Sequence, residues 1–137
     1  MRGFFIILAL VLPFTAFAQE RDSVFSSYQA YGEYVDELIM KRDFIPLIQT
    51  LGGRDEYTKE QLAGVNVQLM AAFPVKFKNR SVFREVDLGA GMRQEARVYW
   101  TGESYAFFYA LLHQRANDIV VVNFNLNSSS AAVMSMF

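Results

Sequence analysis

The chain has 137 residues, with 13 lysines and arginines against 14 aspartates and glutamates, a formal charge of −1. That balance excludes the basic footprint through which proteins hold nucleic acid or an anionic membrane surface. Cysteine is absent, which excludes disulfides, thiolate metal sites, cysteine nucleophiles and a lipid-modified cysteine anchor, so stability must come from packing.

Arg2, the apolar run Phe4 to Leu12 and Ala16-Phe17-Ala18 before Gln19 follow the order of a secretory signal peptide. The run is shorter than the about 20 apolar residues that span a bilayer, and Pro13 breaks it. The expected division is a signal peptide over 1–18, a single α+β domain over 19–127 and a C-terminal tail over 128–137. The mature protein is expected to be secreted or periplasmic, with no membrane anchor after cleavage near Ala18.

Asp22 and Ser23 are good helix caps, and Val24, Tyr28, Tyr31, Val35 and Leu38 then fall on one helical face. Pro46 cannot sit in a helix interior, so the chain restarts near Asp43, and a short second segment runs to Leu51 before Gly52-Gly53 stops it. Thr58 followed by Gln61 matches a capping box. Leu62, Val65, Leu69 and Ala72 or Phe73 continue as a helical stripe until Pro74.

The period then changes to alternation. The expected strands are Val82–Leu88, Met92–Thr101, Ser104–Gln114 and Ile119–Asn127. Gly102-Glu103 suits a two-residue hairpin turn, and Arg115 to Asp118 is a polar turn. These turns place Trp100 opposite Tyr105, Val98 opposite Phe107 and Ala96 opposite Tyr109, then Leu111 opposite Val122 and Tyr109 opposite Phe124. One face collects these residues and is the more apolar, so the helices are expected to cover it and to bury Trp100 beside Tyr105 and Phe107. The fold class is therefore α+β, with N-terminal helices packed on one face of a curved antiparallel four-stranded sheet. The opposite face mixes Arg93, Glu95, Arg97 and Tyr99 with Phe108, Leu112 and Val121. Its apolar part is expected to be covered by the tail Ala131 to Phe137 or by a second copy of the chain.

Two amphipathic helices followed by a meander resemble the cone-shaped nuclear-transport-factor-2-like (cystatin-like) superfamily, in particular its small secreted bacterial members. The resemblance covers Val24 to Asn127 and is carried by the acidic helix Tyr31–Phe44, the helix Thr58–Met70 and the last hairpin Tyr105–Leu126. It is one of pattern and brings no catalytic motif. It implies a concave sheet face able to hold a ligand. It also favours a homodimer through the sheet, with Phe108, Leu112 and Val121 as the expected interface.

Few residues suggest chemistry. His113 is the only histidine; with Asp118 across the turn it resembles a base and its orienter, although a lone strand-end histidine is usually a rim residue. Glu33 and Glu37 share a helical face, as solvated acidic pairs commonly do. Arg84 either points at the core and needs a partner such as Asp43 or Glu56, or sits at an edge. Lys76, Lys78 and Arg80 read as a basic edge that discourages strand pairing. No catalytic set, metal site or cofactor is expected. Trp100, Tyr105, Tyr109 and His113 form the candidate ligand-binding group on the concave side. The reading is a non-catalytic exported binding or interaction module. The alternative is a protein for a small apolar ligand, or an isomerase- or dehydratase-like enzyme built on the same pocket.

Overall fold

In the computed structural model the described residues are 23–52 and 57–137. The expected signal peptide lies outside them. They form β1 (Val24–Phe25), α1 (Tyr28–Lys41), α2 (Phe44–Gly52), α3 (Lys59–Ala72), β2 (Asn79–Gly89), β3 (Met92–Thr101), β4 (Ser104–Gln114), β5 (Ile119–Asn127) and α4 (Ser130–Met134). The class is α+β. The sheet has five strands rather than four, in the order β1-β5-β4-β3-β2, with every neighbour antiparallel.

The extra strand comes from the start of the first expected helix. Ser27 is extended, with φ −157° and ψ 166°, and its hydroxyl accepts the Ala30 N–H at 3.0 Å. The cap therefore sits at Ser27, and Val24 and Phe25 are free to pair with Val120 and Ile119. α1 ends where Arg42 turns left-handed, and α2 starts at Phe44, so Pro46 falls in its first turn, where a missing N–H costs little. The capping box is present: Gln61 N–H donates to Thr58 Oγ1 at 3.1 Å and Thr58 N–H donates to Gln61 Oε1 at 2.8 Å. The β2–β3 turn carries positive φ at Gly89, Ala90 and Gly91, and the β3–β4 turn at Gly102.

β3, β4 and β5 span the expected residues, and the β3–β4 register is the expected one, with Trp100 opposite Tyr105 and Ala96 opposite Tyr109. β4 and β5 start as expected, with Leu112 opposite Val121, and then slip by one residue at a bulge, so Leu111 faces Asn123 and Tyr109 faces Asn125. The bulge reverses which residues point to the helices. Ile119 and Val121 do so before it, and Phe124 and Leu126 after it, the latter two opposite Ala110 and Phe108.

The helices lie on the face opposite to the expected one. The main core joins Tyr31, Val35 and Ile39 of α1 and Leu47 and Leu51 of α2 to Tyr99, Phe108, Ala110, Leu112 and Val121 of the sheet. Phe108 and Leu112 have no exposure and Val121 has 4%. The surface expected to meet a second copy is thus occupied by the chain's own helices. Hydropathy alone ranked the two faces wrongly, because the helix-facing side carries Glu95 and Arg97, whose charges are met by residues of α1. The other face is covered in part by the tail: Val133 is fully buried and packs with Ala96 and Tyr109, beside Met136 and Phe137. Trp100 lies on this side, half-buried rather than in the core, and Tyr105 is 46% exposed. Native tryptophan emission is therefore expected between the values of a buried and a fully solvated indole; emission like that of a dry core would contradict this placement.

Candidate functional site

Two features stand out: a buried polar cluster between α1 and β3, and a cleft between α2, α3 and β5. The cluster holds most of the titratable groups in the core. Glu95 and Arg97 are two residues apart on β3 and so share a face. Arg97 Nε donates to Glu95 Oε2 at 2.6 Å, and Arg97 Nη1 donates to Asp36 Oδ1 at 3.0 Å. Tyr28 donates its hydroxyl to Glu95 Oε1 at 2.6 Å, Tyr31 to Glu95 Oε2 at 2.7 Å and Tyr99 to Asp36 Oδ1 at 2.6 Å. Arg80 closes the outer side, with Nε 3.1 Å from Asp36 Oδ2. Every carboxylate oxygen of Glu95 and Asp36 thus has a partner. Burial opposes the Arg97 charge, and the adjacent Glu95 outweighs that effect, so the guanidinium is held firmly charged. A network of this kind positions α1 on the sheet.

Gly32 makes the cluster possible. It is buried in α1, and a Cβ there would lie 3.0 Å from Arg97 Nη2. Gly32→Ala is expected to lower the urea midpoint, even though alanine gains about 1 kcal/mol over glycine in a helix interior. An increased midpoint would show that the guanidinium can move aside.

The same tyrosines make a pH prediction. Burial, then the hydrogen bond to Glu95, raises the Tyr28 pKa from 10.0 to about 12. Burial followed by the Glu95 charge raises Tyr31 well above 10.0, and burial followed by the Asp36 charge does the same for Tyr99. These groups keep protons in the folded chain that the unfolded chain loses, so their contribution is complete below pH 10 and falls as pH rises toward 12 and beyond. Alkaline unfolding should be steep in that window. Tyr28→Phe should flatten the slope of stability against pH, and an unchanged slope would remove Tyr28 from the set.

Among the described residues, the clefts do not bring Trp100, Tyr105, Tyr109 and His113 together. Trp100 and Tyr105 are cross-strand neighbours at the hairpin end. Tyr105 stacks on Phe107 at 6.1 Å, and Phe107 meets Phe83 edge-on at 6.2 Å, a half-exposed aromatic patch on the tail side. Tyr109 is only 3% exposed, because Phe137 packs edge-on against it at 5.3 Å. His113 ends β4 opposite Met92 and Val120, while Asp118 receives Arg115 at 2.7 Å and 2.8 Å. Arg84 lies opposite Ala96, on the face that the tail covers, its guanidinium 4.2 Å from the Phe137 ring centre. Glu33 accepts from Gln29 and Glu37 pairs with Lys41. Among the described residues no group of three or more histidines, aspartates and glutamates is placed to hold a metal ion.

The cleft has a volume of about 560 Å³. Leu47 and Leu51 of α2, Leu62 and Leu69 of α3, and Phe124 and Leu126 of β5 line it. It exists because α3 is weakly anchored: Leu62 is its one buried residue among those described, Val67 is 68% exposed and Met70 37%. The helical stripe foreseen from Leu62 to Ala72 thus leans on α2 and leaves a gap over the end of β5. Sequence reading missed this site. Its one signal was the alternation of Asn123, Asn125 and Asn127 with Phe124 and Leu126, which marks a strand with an apolar side and an uncharged polar side.

No family model, curated protein or solved structure matches this chain. The assignment of a role therefore rests on the geometry of the cleft.

Proposed function

We propose that this chain is an exported, non-catalytic binding module that holds an uncharged, largely apolar ligand in the cleft between α2, α3 and β5. The observation that carries this reading is the cleft itself: about 560 Å³, within the range of small-ligand sites, with leucines and Phe124 along part of its wall and the uncharged polar residues Asn123, Asn125 and Asn127 along the rest. The buried cluster around Glu95 supports the non-catalytic part, since its hydrogen bonds are internal. Export rests on the N-terminal pattern alone. The resemblance to cone-shaped domains, where a ligand lies between helices and sheet, agrees with this site, while a pairing of two copies would need a surface other than Phe108, Leu112 and Val121.

The test is titration with the uncharged fluorescent dye N-phenylnaphthylamine. Saturable enhancement at one dye per chain is expected. Val65→Trp, which fills the cleft from α3, should weaken it by about tenfold or more, equivalent to about 1.4 kcal/mol. A folded wild type that does not enhance the dye, or a variant that binds equally well, would overturn the assignment.

A further inference from the structure

Resting on the cleft reading, we propose that the natural occupant is an extended, uncharged peptide segment that joins the outer edge of β5 as an added strand. β1 pairs with β5 only at Ile119 and Val120, although β5 continues to Asn127. Among the described residues the stretch 121–127 has β4 on one side and no strand on the other. The Phe124 N–H shows the consequence: it donates to the neighbouring Asn123 Oδ1 at 3.0 Å instead of to a strand. Backbone groups of alternate residues point the same way along an antiparallel strand, so the amide of Leu126 also faces outward. Six consecutive residues of β5, 122–127, form the cleft wall. A compact apolar ligand would offer those backbone groups no hydrogen bond in place of water or, at Phe124, of the local bond to Asn123. A strand satisfies them and at the same time lays alternate side chains against Leu51, Leu62 and Phe124.

Charge points to the same occupant. From Ile119 to the C-terminal Phe137 the sequence has no charged residue. The opposite edge of the sheet, β2, carries Arg80, Arg84, Glu85 and Asp87 after Lys76 and Lys78. Charged side chains are a usual protection against unwanted strand pairing, and β2 has them where β5 has none. The edge from Ile119 onward offers a charged peptide no counter-charge, which favours an uncharged partner. It also disfavours the chain's own residues 19–22, Gln-Glu-Arg-Asp, three of which carry charge. β1 already demonstrates antiparallel pairing at this edge, and the open length of β5 suits a partner of about 20 Å, or about six residues.

The experiment selects from a displayed library of capped peptides that alternate valine, leucine or phenylalanine with serine or threonine, using the immobilised full chain. The best selected peptide is then synthesised with and without backbone N-methylation at every second residue, in both alternations. Saturable binding is expected, with amide exchange at Leu126 slowed about tenfold or more and exchange along β2 unchanged. One N-methyl alternation, and Asn123→Lys with unchanged circular dichroism, should each weaken binding at least about tenfold. The proposal is overturned if the library yields no binder, if neither N-methylated form loses affinity, or if protection appears on β2. It is likewise overturned if Leu126 is already protected without peptide, whether that protection depends on protein concentration, as for a second copy, or on residues 19–22, as for the chain's own segment. Dye binding that is lost in Val65→Trp while no peptide binds would leave the cleft reading intact and remove the strand; absence of both would remove the two together.

Discussion

Arg97→Ala is expected to cost about 3–5 kcal/mol, the loss typical of breaking a buried ion pair from one side. Arg97 is 5% exposed and Glu95 not at all. Removal of the guanidinium leaves the Glu95 carboxylate with two tyrosine hydroxyls and without its paired cation, and leaves Asp36 with the Tyr99 hydroxyl as its inner partner. The charge of Glu95 cannot be rehydrated without opening the contact between α1 and the sheet. The size of the loss belongs to that stranded charge more than to the attraction of the pair, since well-packed apolar replacements of buried pairs are often neutral. Arg97→Met combined with Glu95→Leu should therefore recover part of the stability. Urea unfolding of both singles and the double gives the coupling directly. A single substitution that stays within about 0.5 kcal/mol of wild type would mean that the cluster is solvated.

Removal of the tail should have an effect of similar size. A chain ending at Ser129 loses α4, and with it Val133, which is fully buried, and the packing of Met136 and Phe137 on Ala96 and Tyr109. Complete burial of one such side chain contributes about 1.5–3 kcal/mol, so the truncation is expected to cost on the order of 3–5 kcal/mol. Gln94 also loses the Met136 carbonyl, which it reaches at 3.0 Å, and keeps the Tyr109 hydroxyl at the same distance. The chain should remain folded with a much reduced denaturant midpoint, because domains of this kind hold about 5–15 kcal/mol in total. Phe137→Ala should show a smaller part of the same loss, because this ring is half-buried. A truncated chain with an unchanged midpoint would show that the tail is an ornament on the sheet. The two predictions probe opposite faces, and their effects should add, since they share no partner.

Local signals were sufficient for the three main helices and the four long strands, but not for β1 or α4. The capping box at Thr58, the glycines at positions 89, 91 and 102, and the alternation from Met92 onward each depend on a few adjacent residues, and the structure carries all of them. The β3–β4 register followed from the turn at Gly102 for the same reason. Three matters depended on residues distant in sequence. The bulge in β5 reverses the side of Phe124 and Leu126, and no local signal announces it. The choice of the covered face was decided by Tyr28 and Tyr31, which donate to Glu95, and by Asp36, which accepts from Arg97, across more than sixty positions of chain; hydropathy counts a charge as a surface residue whether or not a partner awaits it. The cleft, too, arises only in the assembled fold, since it is the space that α3 leaves when it packs on α2 and stands away from β5. Sequence alone thus determined the α+β class, the three main helices, the four long strands and the absence of disulfide chemistry, because these follow from neighbouring residues, while β1 and α4 did not. Tertiary structure decided the inward face, the closed charge cluster and the site, because each is a relation between elements that only packing brings together.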